Sequence, residues 1–102
     1  MSIKKQFLKS KPVCKVTFKL TKNQANMADT VSVVGDFNDW HAPAGELIKL
    51  KDGSFSQTID LESGKTYQFR YVADGKTWFN DEEADSYQDS GHGDTQNGVL
   101  EL

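Results

Sequence analysis

The amino-acid sequence predicts an all-β fold, a sandwich of antiparallel strands, and three observations lead to this prediction. Apolar and polar residues alternate over several short segments, which is the pattern of half-buried strands. Turn-forming residues recur at intervals of roughly 8–12 residues, as they do in β-sandwiches. Between these turns no segment has the length of an ordinary helix. The 102 residues suffice for one domain, which we expect at residues 12–102 after a flexible arm at residues 1–11.

The strands follow from this alternation along the chain. Residues 13–20 alternate strictly, and Cys14 falls on the apolar side, where we expect a small buried hydrophobe rather than a reactive thiol. Residues 21–29 are polar and are expected to form a loop with one helical turn. The other strands are predicted at residues 30–34, 47–50, 55–61, 65–73, 77–80 and 97–102.

The net charge of −3 conceals an uneven distribution. Residues 1–22 contain seven lysines and no acidic residue, so the rest of the chain carries −10. These lysines have no arginine and few aromatic neighbours, which indicates an exposed strand face that resists edge pairing rather than a nucleic-acid site. No apolar run reaches the roughly 18 residues of a membrane span, and no signal peptide is recognisable. The single cysteine fits a cytoplasmic protein without a disulfide framework.

The first informative stretch is residues 33–40, with the sequence VVGDFNDW. Its valines complete a buried strand, and the Gly-Asp and Asn-Asp pairs that follow are turn formers. We expect Phe37 to fold back into the core and so fix the loop. Trp40 then stands at the end of a rigid turn, where its flat ring offers a contact surface at little entropic cost.

The second informative stretch is residues 67–78, where a strand runs through an Asp-Gly turn to another tryptophan, Trp78. Tyr67, Phe69 and Tyr71 share one face of this strand, which is expected to be the core face. Gln68 and Arg70 share the opposite face. The planar guanidinium of an arginine there has five fixed donors suited to hydroxyl groups.

Together, and in this order, the two stretches resemble the carbohydrate-binding modules of family 48, also called isoamylase early-set or glycogen-binding domains. The resemblance extends over about residues 31–102. It implies an immunoglobulin-like (early-set) β-sandwich of about seven or eight antiparallel strands. It also implies non-catalytic binding of α-glucans such as glycogen or starch. The residues implied in sugar contact are Trp40 and Trp78, by stacking, and Arg70, Gln68, Thr95 and Asn97, by hydrogen bonds.

Two positions depart from the pattern of the AMP-activated protein kinase β-subunit module. One extra residue lies between Gly75 and Trp78, which affects the direction of Trp78. Gly93 stands where the kinase module has a leucine that reaches into a sugar ring. Loss of that apolar contact predicts weaker binding, or a preference for a different chain shape.

The acidic segment at residues 81–94 is the one candidate for catalysis or metal binding. Its carboxylates do not match the spacing of an EF-hand loop, and a loop lacks the fixed geometry of acid–base catalysis. Neither histidine has a cysteine or a second histidine at the sequence spacing of a metal site. We therefore expect a solvated acidic loop, with no catalytic residue, no metal site and no cofactor.

Two alternatives stay open at this point. The two tryptophans could be core residues, because a buried tryptophan is common in sandwiches. The domain could also be a protein-interaction module that docks onto a glycogen-metabolising enzyme or a kinase-like complex, since a fold alone does not decide function. Sugar binding requires both Trp40 and Trp78 to be exposed on one face, and this requirement separates the hypotheses.

Overall fold

The computed structural model of the protein describes residues 3–91 and 95–102. Within these ranges it contains nine strands and one short 3-10 helix, and no helix there is long and apolar enough to cross a membrane. The helix covers Ala42–Gly45. The strands are β1 (Ile3–Phe7), β2 (Val13–Leu20), β3 (Val31–Gly35), β4 (Ile48–Lys49), β5 (Phe55–Glu62), β6 (Thr66–Ala73), β7 (Thr77–Phe79), β8 (Ser86–Asp89) and β9 (Gln96–Glu101).

The strands form two antiparallel sheets, and this arrangement confirms the predicted all-β sandwich. The first sheet has the order β1-β2-β5-β4, and the second has the order β3-β6-β9-β8. Strand β6 is the centre of the second sheet. Along one edge it pairs with β3, while β9 pairs with residues 66–69 and β7 with residues 71–73. Three neighbouring strands therefore fix the positions of the β6 side chains.

The core lies between the two sheets and is filled mainly by aromatic rings. Phe18 of β2 is fully buried, and its ring centre lies 5.6 Å from that of Phe69 and 6.4 Å from that of Tyr71, both on β6. Cys14 is fully buried beside them, as the alternation predicts. The inward positions of β2 and β6 are thus the ones that the sequence pattern indicates.

Strand β1 is a correction to the sequence-based expectation. Residues 1–11 were expected to form a flexible arm, but Ile3–Phe7 pairs along its whole length with β2. The reason is that β2 presents an open row of backbone donors and acceptors, which a further strand satisfies. The side chain of Ile3 also joins the core, with 8% of its surface exposed.

The acidic segment is the second correction. Residues 81–94 were expected to form a solvated loop, but Ser86–Asp89 forms β8 and pairs with β9. Asp81 is buried, and its carboxylate accepts a hydrogen bond from the Tyr71 hydroxyl at 2.6 Å. Asp85 pairs with Lys5 at 2.5 Å and so links the segment to β1. Part of this acidic charge therefore has a structural role.

Candidate functional site

A groove on the outer face of the second sheet brings together five of the six residues predicted to contact sugar. Its volume is about 420 Å³. We call it the tryptophan groove, and it is lined by Asp36, Trp40, Gln68, Arg70, Trp78, Ser90 and Asn97.

The floor of the tryptophan groove comes from β6. Because Phe69 and Tyr71 point into the core, Gln68 and Arg70 point outward into the groove. The guanidinium carbon Cζ of Arg70 lies 5.6 Å from the ring centre of Trp78, which is a cation–π contact. Its Nε is buried and has no hydrogen-bond partner within the described part of the chain. Arg70 therefore braces one tryptophan and carries donor capacity that the described residues do not use.

Strand β7 presents Trp78 as one wall of the groove. Trp78 is directly opposite Val72, so both side chains lie on the outer face of the sheet, and 47% of the Trp78 surface is exposed. The β6–β7 turn contains the extra residue noted in the sequence and has positive φ at both Asp74 and Gly75. The Asp74 carboxylate accepts the backbone N–H groups of Asp29 and Thr30. The longer turn is thus held in place, and Trp78 lines the groove.

The opposite wall is Trp40, at the end of the loop that follows β3. Its backbone N–H donates to the Gly35 carbonyl at 3.0 Å, and its φ of 58° is in the left-handed region. Its indole Nε1–H donates to Asp36 Oδ1 at 3.2 Å. The ring is half-buried. Backbone and side chain are therefore both held before any ligand arrives.

The loop owes its shape to residues on both sides of the sheet. Phe37 turns inward, as expected, with its ring centre 6.0 Å from that of Phe18. Asn38 closes the turn by accepting the Gly35 N–H at 3.0 Å and donating to the Val33 carbonyl at 2.9 Å. Gly35 itself is required, because an added Cβ would lie 2.5 Å from the Gln68 carbonyl oxygen.

Asn97 of β9 reaches the groove beside β6 and fixes the orientation of Gln68. It is 8% exposed, and its Nδ2 donates to Gln68 Oε1 at 3.0 Å. The side-chain oxygen of Gln68 thereby has a partner within the protein, and the two N–H donors of its Nε2 point elsewhere. The amide pair is a preset arrangement of donors on the groove floor.

Thr95 does not line the tryptophan groove. Its hydroxyl lies 2.6 Å from the Ser90 hydroxyl, and Ser90 is part of the groove wall. Thr95 therefore supports the wall through Ser90. The prediction for Gly93 falls outside the described residues.

Two groove residues, Asp36 and Ser90, were not recognised in the sequence. Asp36 holds the loop against β6, because its Oδ2 accepts the Gln68 N–H at 2.8 Å and its own N–H donates to the Gln68 carbonyl at 3.0 Å. In the sequence, Asp36 lies in a turn close to the predicted platform Trp40, and this position could have indicated a role in the site. The preference of Asp for turns was a sufficient explanation of its presence there. Ser90 carried no such signal, since its role depends on the β8–β9 pairing.

The chemistry of the groove suits a neutral ligand that is rich in hydroxyl groups. It has two large apolar faces, one positive and one negative charge, and several amide and hydroxyl groups. Within residues 3–91 and 95–102, no group of three His, Cys, Asp or Glu side chains is placed to hold a metal ion.

Comparison with known proteins agrees with this chemistry. Residues 14–100 match the protein family described as the glycogen recognition site of AMP-activated protein kinase. Among curated proteins no match to the chain was found. Since the family match extends over most of the chain, the protein belongs to this family of glycogen-recognition, carbohydrate-binding modules.

Proposed function

We propose that the protein binds α-glucan chains of the glycogen or starch type in the tryptophan groove, without catalysis. The observation that carries this proposal is that Trp40 and Trp78, which are far apart in the sequence, line the same groove on one face of the sheet. Aromatic rings stack on the apolar faces of sugar rings, and two such platforms separated by polar groups suit a chain of several glucose units. Against the alternative of two core tryptophans, Trp78 is 47% exposed, Trp40 is only half-buried, and neither belongs to the core cluster.

The polar groups between the platforms supply the hydrogen bonds to sugar hydroxyls. Arg70 and Gln68 are direct donors in this proposal, because each carries donor atoms that the described protein residues leave unused. Asn97 acts partly by orienting Gln68, and Thr95 acts through Ser90. Asp36 positions Trp40 and adds an acceptor to the groove.

We expect an affinity in the micromolar to millimolar range, roughly −4 to −8 kcal/mol. The groove is open, so it does not enclose a ligand as a deep pocket does. Its platforms are held in place by Asp36 and Arg70, which lowers the cost of ordering them on binding.

The non-catalytic part of the proposal is supported by the roles of the acidic side chains. Asp81 is occupied by Tyr71 and Asp85 by Lys5, so neither is available as an acid or base. Asp36, the carboxylate in the groove, already accepts two hydrogen bonds from the protein. The cytoplasmic location suggested by the single cysteine stays a prediction.

The rival function is docking onto a glycogen-metabolising enzyme or a kinase-like complex. The observation that favours it is a pair of exposed aliphatic side chains at the edge of the first sheet, Ile48 and Leu50, with exposed fractions of 59% and 41%. These residues are separate from the tryptophan groove. Docking at this edge would leave the groove open, so docking and sugar binding are compatible.

The direct test is tryptophan fluorescence during titration with maltoheptaose and β-cyclodextrin. The wild type should give a saturable change, which Trp40→Ala and Trp78→Ala should each lose while remaining folded by circular dichroism. Phe7→Ala is the matched control, because Phe7 is an exposed aromatic residue on β1, outside the groove. A wild type that gives no change up to several millimolar glucan, with both tryptophans accessible to a quencher, would contradict the proposal.

A further inference from the structure

A second depression lies between the loop at residues 21–29 and the end of β7. Its volume is about 230 Å³. We call it the amide pocket, because four of the residues that line it are amides: Asn23, Gln24, Asn26 and Asn80. Phe79 contributes an aromatic surface to the same pocket.

The amide pocket is distinct from the tryptophan groove. Trp78 and Phe79 are consecutive residues of β7, and successive side chains of a strand point to opposite faces. Trp78 lines the groove, and Phe79 lines the amide pocket. No residue belongs to both linings, so a ligand in one does not touch the other.

Asn80 is the fixed polar group of the pocket. Its Nδ2 donates to the Gln96 carbonyl at 2.8 Å, which sets the orientation of the amide. Its Oδ1 is buried and has no hydrogen-bond partner in the described part of the chain. A buried acceptor without a partner is unusual in a native protein and calls for a donor. The hydroxyl group of a ligand would supply one.

The facing loop presents further amides in a strained conformation. Asn26 and Met27 have φ values of 52° and 60°, and a left-handed methionine is uncommon. The loop is nevertheless ordered by backbone hydrogen bonds such as Ala25 N–H to the Thr21 carbonyl, at 3.0 Å, and Ala25 is fully buried. Among the described residues, the side-chain amides of Asn23 and Asn26 have no partner. The fold therefore holds unused donors and acceptors over the pocket.

The charge of the pocket restricts the ligand. Asp81 and Glu82 are its only charged residues among those described, so phosphates and other anions are disfavoured. Neutral amides pair well with hydroxyl groups, since each amide offers both donors and an acceptor. At about 230 Å³ the pocket is smaller than the roughly 300–1,000 Å³ sites of drug-sized ligands, so a ligand of one ring fits it best.

We propose that the amide pocket is a second saccharide site, which takes a single neutral hexose unit against Phe79. Asn80 would accept a hydrogen bond from one sugar hydroxyl, and Asn23 and Asn26 would bind its neighbours. This proposal does not depend on glucan binding in the tryptophan groove, because the two linings share no residue.

The test is a proton–nitrogen correlation NMR titration with methyl α-D-glucopyranoside, in the Trp78→Ala background that disables the groove. We expect saturable shifts of the side-chain amide signals of Asn23, Asn26 and Asn80, with a millimolar Kd. Adding Asn26→Gly should weaken binding severalfold. Glycine adopts the positive φ of this position without strain, so the variant should fold. Gln6→Ala is the matched control, because Gln6 is an exposed amide on β1.

Shifts that stay linear up to about 0.1 M sugar would overturn the proposal, as would an Asn26→Gly variant that binds like its parent. Equal shifts with sorbitol, which has the hydroxyl groups but no ring, would also overturn it. Failure of the tryptophan groove appears in a different experiment, the maltoheptaose titration of the wild type. The outcomes for the two sites are therefore distinguishable.

Discussion

At the scale of single residues, Asp36 is the side chain on which the geometry of Trp40 depends most. Both of its carboxylate oxygens are used, one by the Trp40 indole at 3.2 Å and the other by the Gln68 N–H at 2.8 Å. A carboxylate accepts at both oxygens, whereas an amide has one acceptor and one donor end. The Asp36 carboxylate therefore satisfies both partners at once, which an asparagine amide cannot do.

Asp36→Asn should therefore weaken maltoheptaose binding by about fivefold to tenfold, close to the worth of one hydrogen bond, while the fold persists. Isothermal titration calorimetry measures the change. Asp39→Asn is the matched control, because Asp39 lies in the same loop and asparagine tolerates its φ of 54°. Equal affinities for Asp36→Asn and the wild type would show that Asp36 does not position Trp40.

The buried pair of Tyr71 and Asp81 makes a second residue-scale prediction. Burial, together with the Asp81 carboxylate at 2.6 Å, raises the pKa of Tyr71 well above its ordinary value. A pKa raised on folding contributes stability that is present below the unfolded pKa of about 10 and is lost as the pH rises further. Tyr71→Phe removes a donor from a buried carboxylate, so it should lower the free energy of unfolding by about 1.5–3 kcal/mol.

Urea unfolding at neutral pH measures that loss, and Tyr67→Phe is its control. The Tyr67 hydroxyl donates to the Glu62 carbonyl at 3.1 Å in an exposed position, so its removal should cost less than about 1 kcal/mol. Tyr71→Phe should also flatten the alkaline part of the stability curve. If both variants lost the same small amount, the buried pair would have no special role.

At the scale of elements, the two strands that the sequence did not predict, β1 and β8, are both sheet edges. Residues 86–89 read SYQD and are all exposed, so no apolar alternation marks them as a strand. Such strands form because they pair with the open edge of a neighbouring strand, and that edge exists only in the folded molecule. Central strands such as β6 were predictable, because burial of one face imposes a period of two on the sequence.

The attachment of β1 depends on Lys5, whose Nζ contacts Asp85 at 2.5 Å and the Glu101 carbonyl at 3.1 Å. Lys5→Met should cost about 1 kcal/mol and increase amide hydrogen exchange selectively in Ile3–Phe7. Lys15→Met is the control, because the contact of Lys15 with Asp60 is longer, at 3.4 Å, and more exposed. Similar exchange in β1 for both variants would mean that backbone pairing alone holds the strand.

The same contact predicts a dependence on acid pH. Burial opposes ionisation of Asp85, but the Glu101 N–H and Lys5 outweigh it, so the pKa of Asp85 is lowered from its ordinary 3.8. A lowered pKa contributes stability that is present above the unfolded value and is lost as the pH falls through the folded one. Protection of β1 from exchange should therefore decrease below about pH 4 in the wild type. In Lys5→Met this decrease should be smaller, and an equal decrease would exclude the contact as its cause.

At the scale of the whole molecule, the sequence predicted which residues face the groove better than it predicted how they are held. Gln68 and Arg70 follow directly from the alternation of β6, and the two tryptophans follow from their turns. The hydrogen bonds of Asp36, and the contact that places Thr95 behind Ser90, join elements that are separate in the sequence. Local pattern contains no information about such contacts, because they arise only when the sheet assembles.

Because the groove is built by β6, β7, β9 and the loop that follows β3, a ligand bound there should stabilise the whole sandwich. At maltoheptaose about tenfold above Kd, mass action adds about 1.4 kcal/mol to the free energy of unfolding. For a domain of this size that raises Tm by roughly 5–10 °C in differential scanning calorimetry. Trp78→Ala should lose this increase at the same ligand concentration, and Phe7→Ala should keep it. A wild type that binds maltoheptaose by fluorescence but shows no rise in Tm would mean that the ligand binds the unfolded chain equally well. That result would contradict a site that exists only in the folded sandwich.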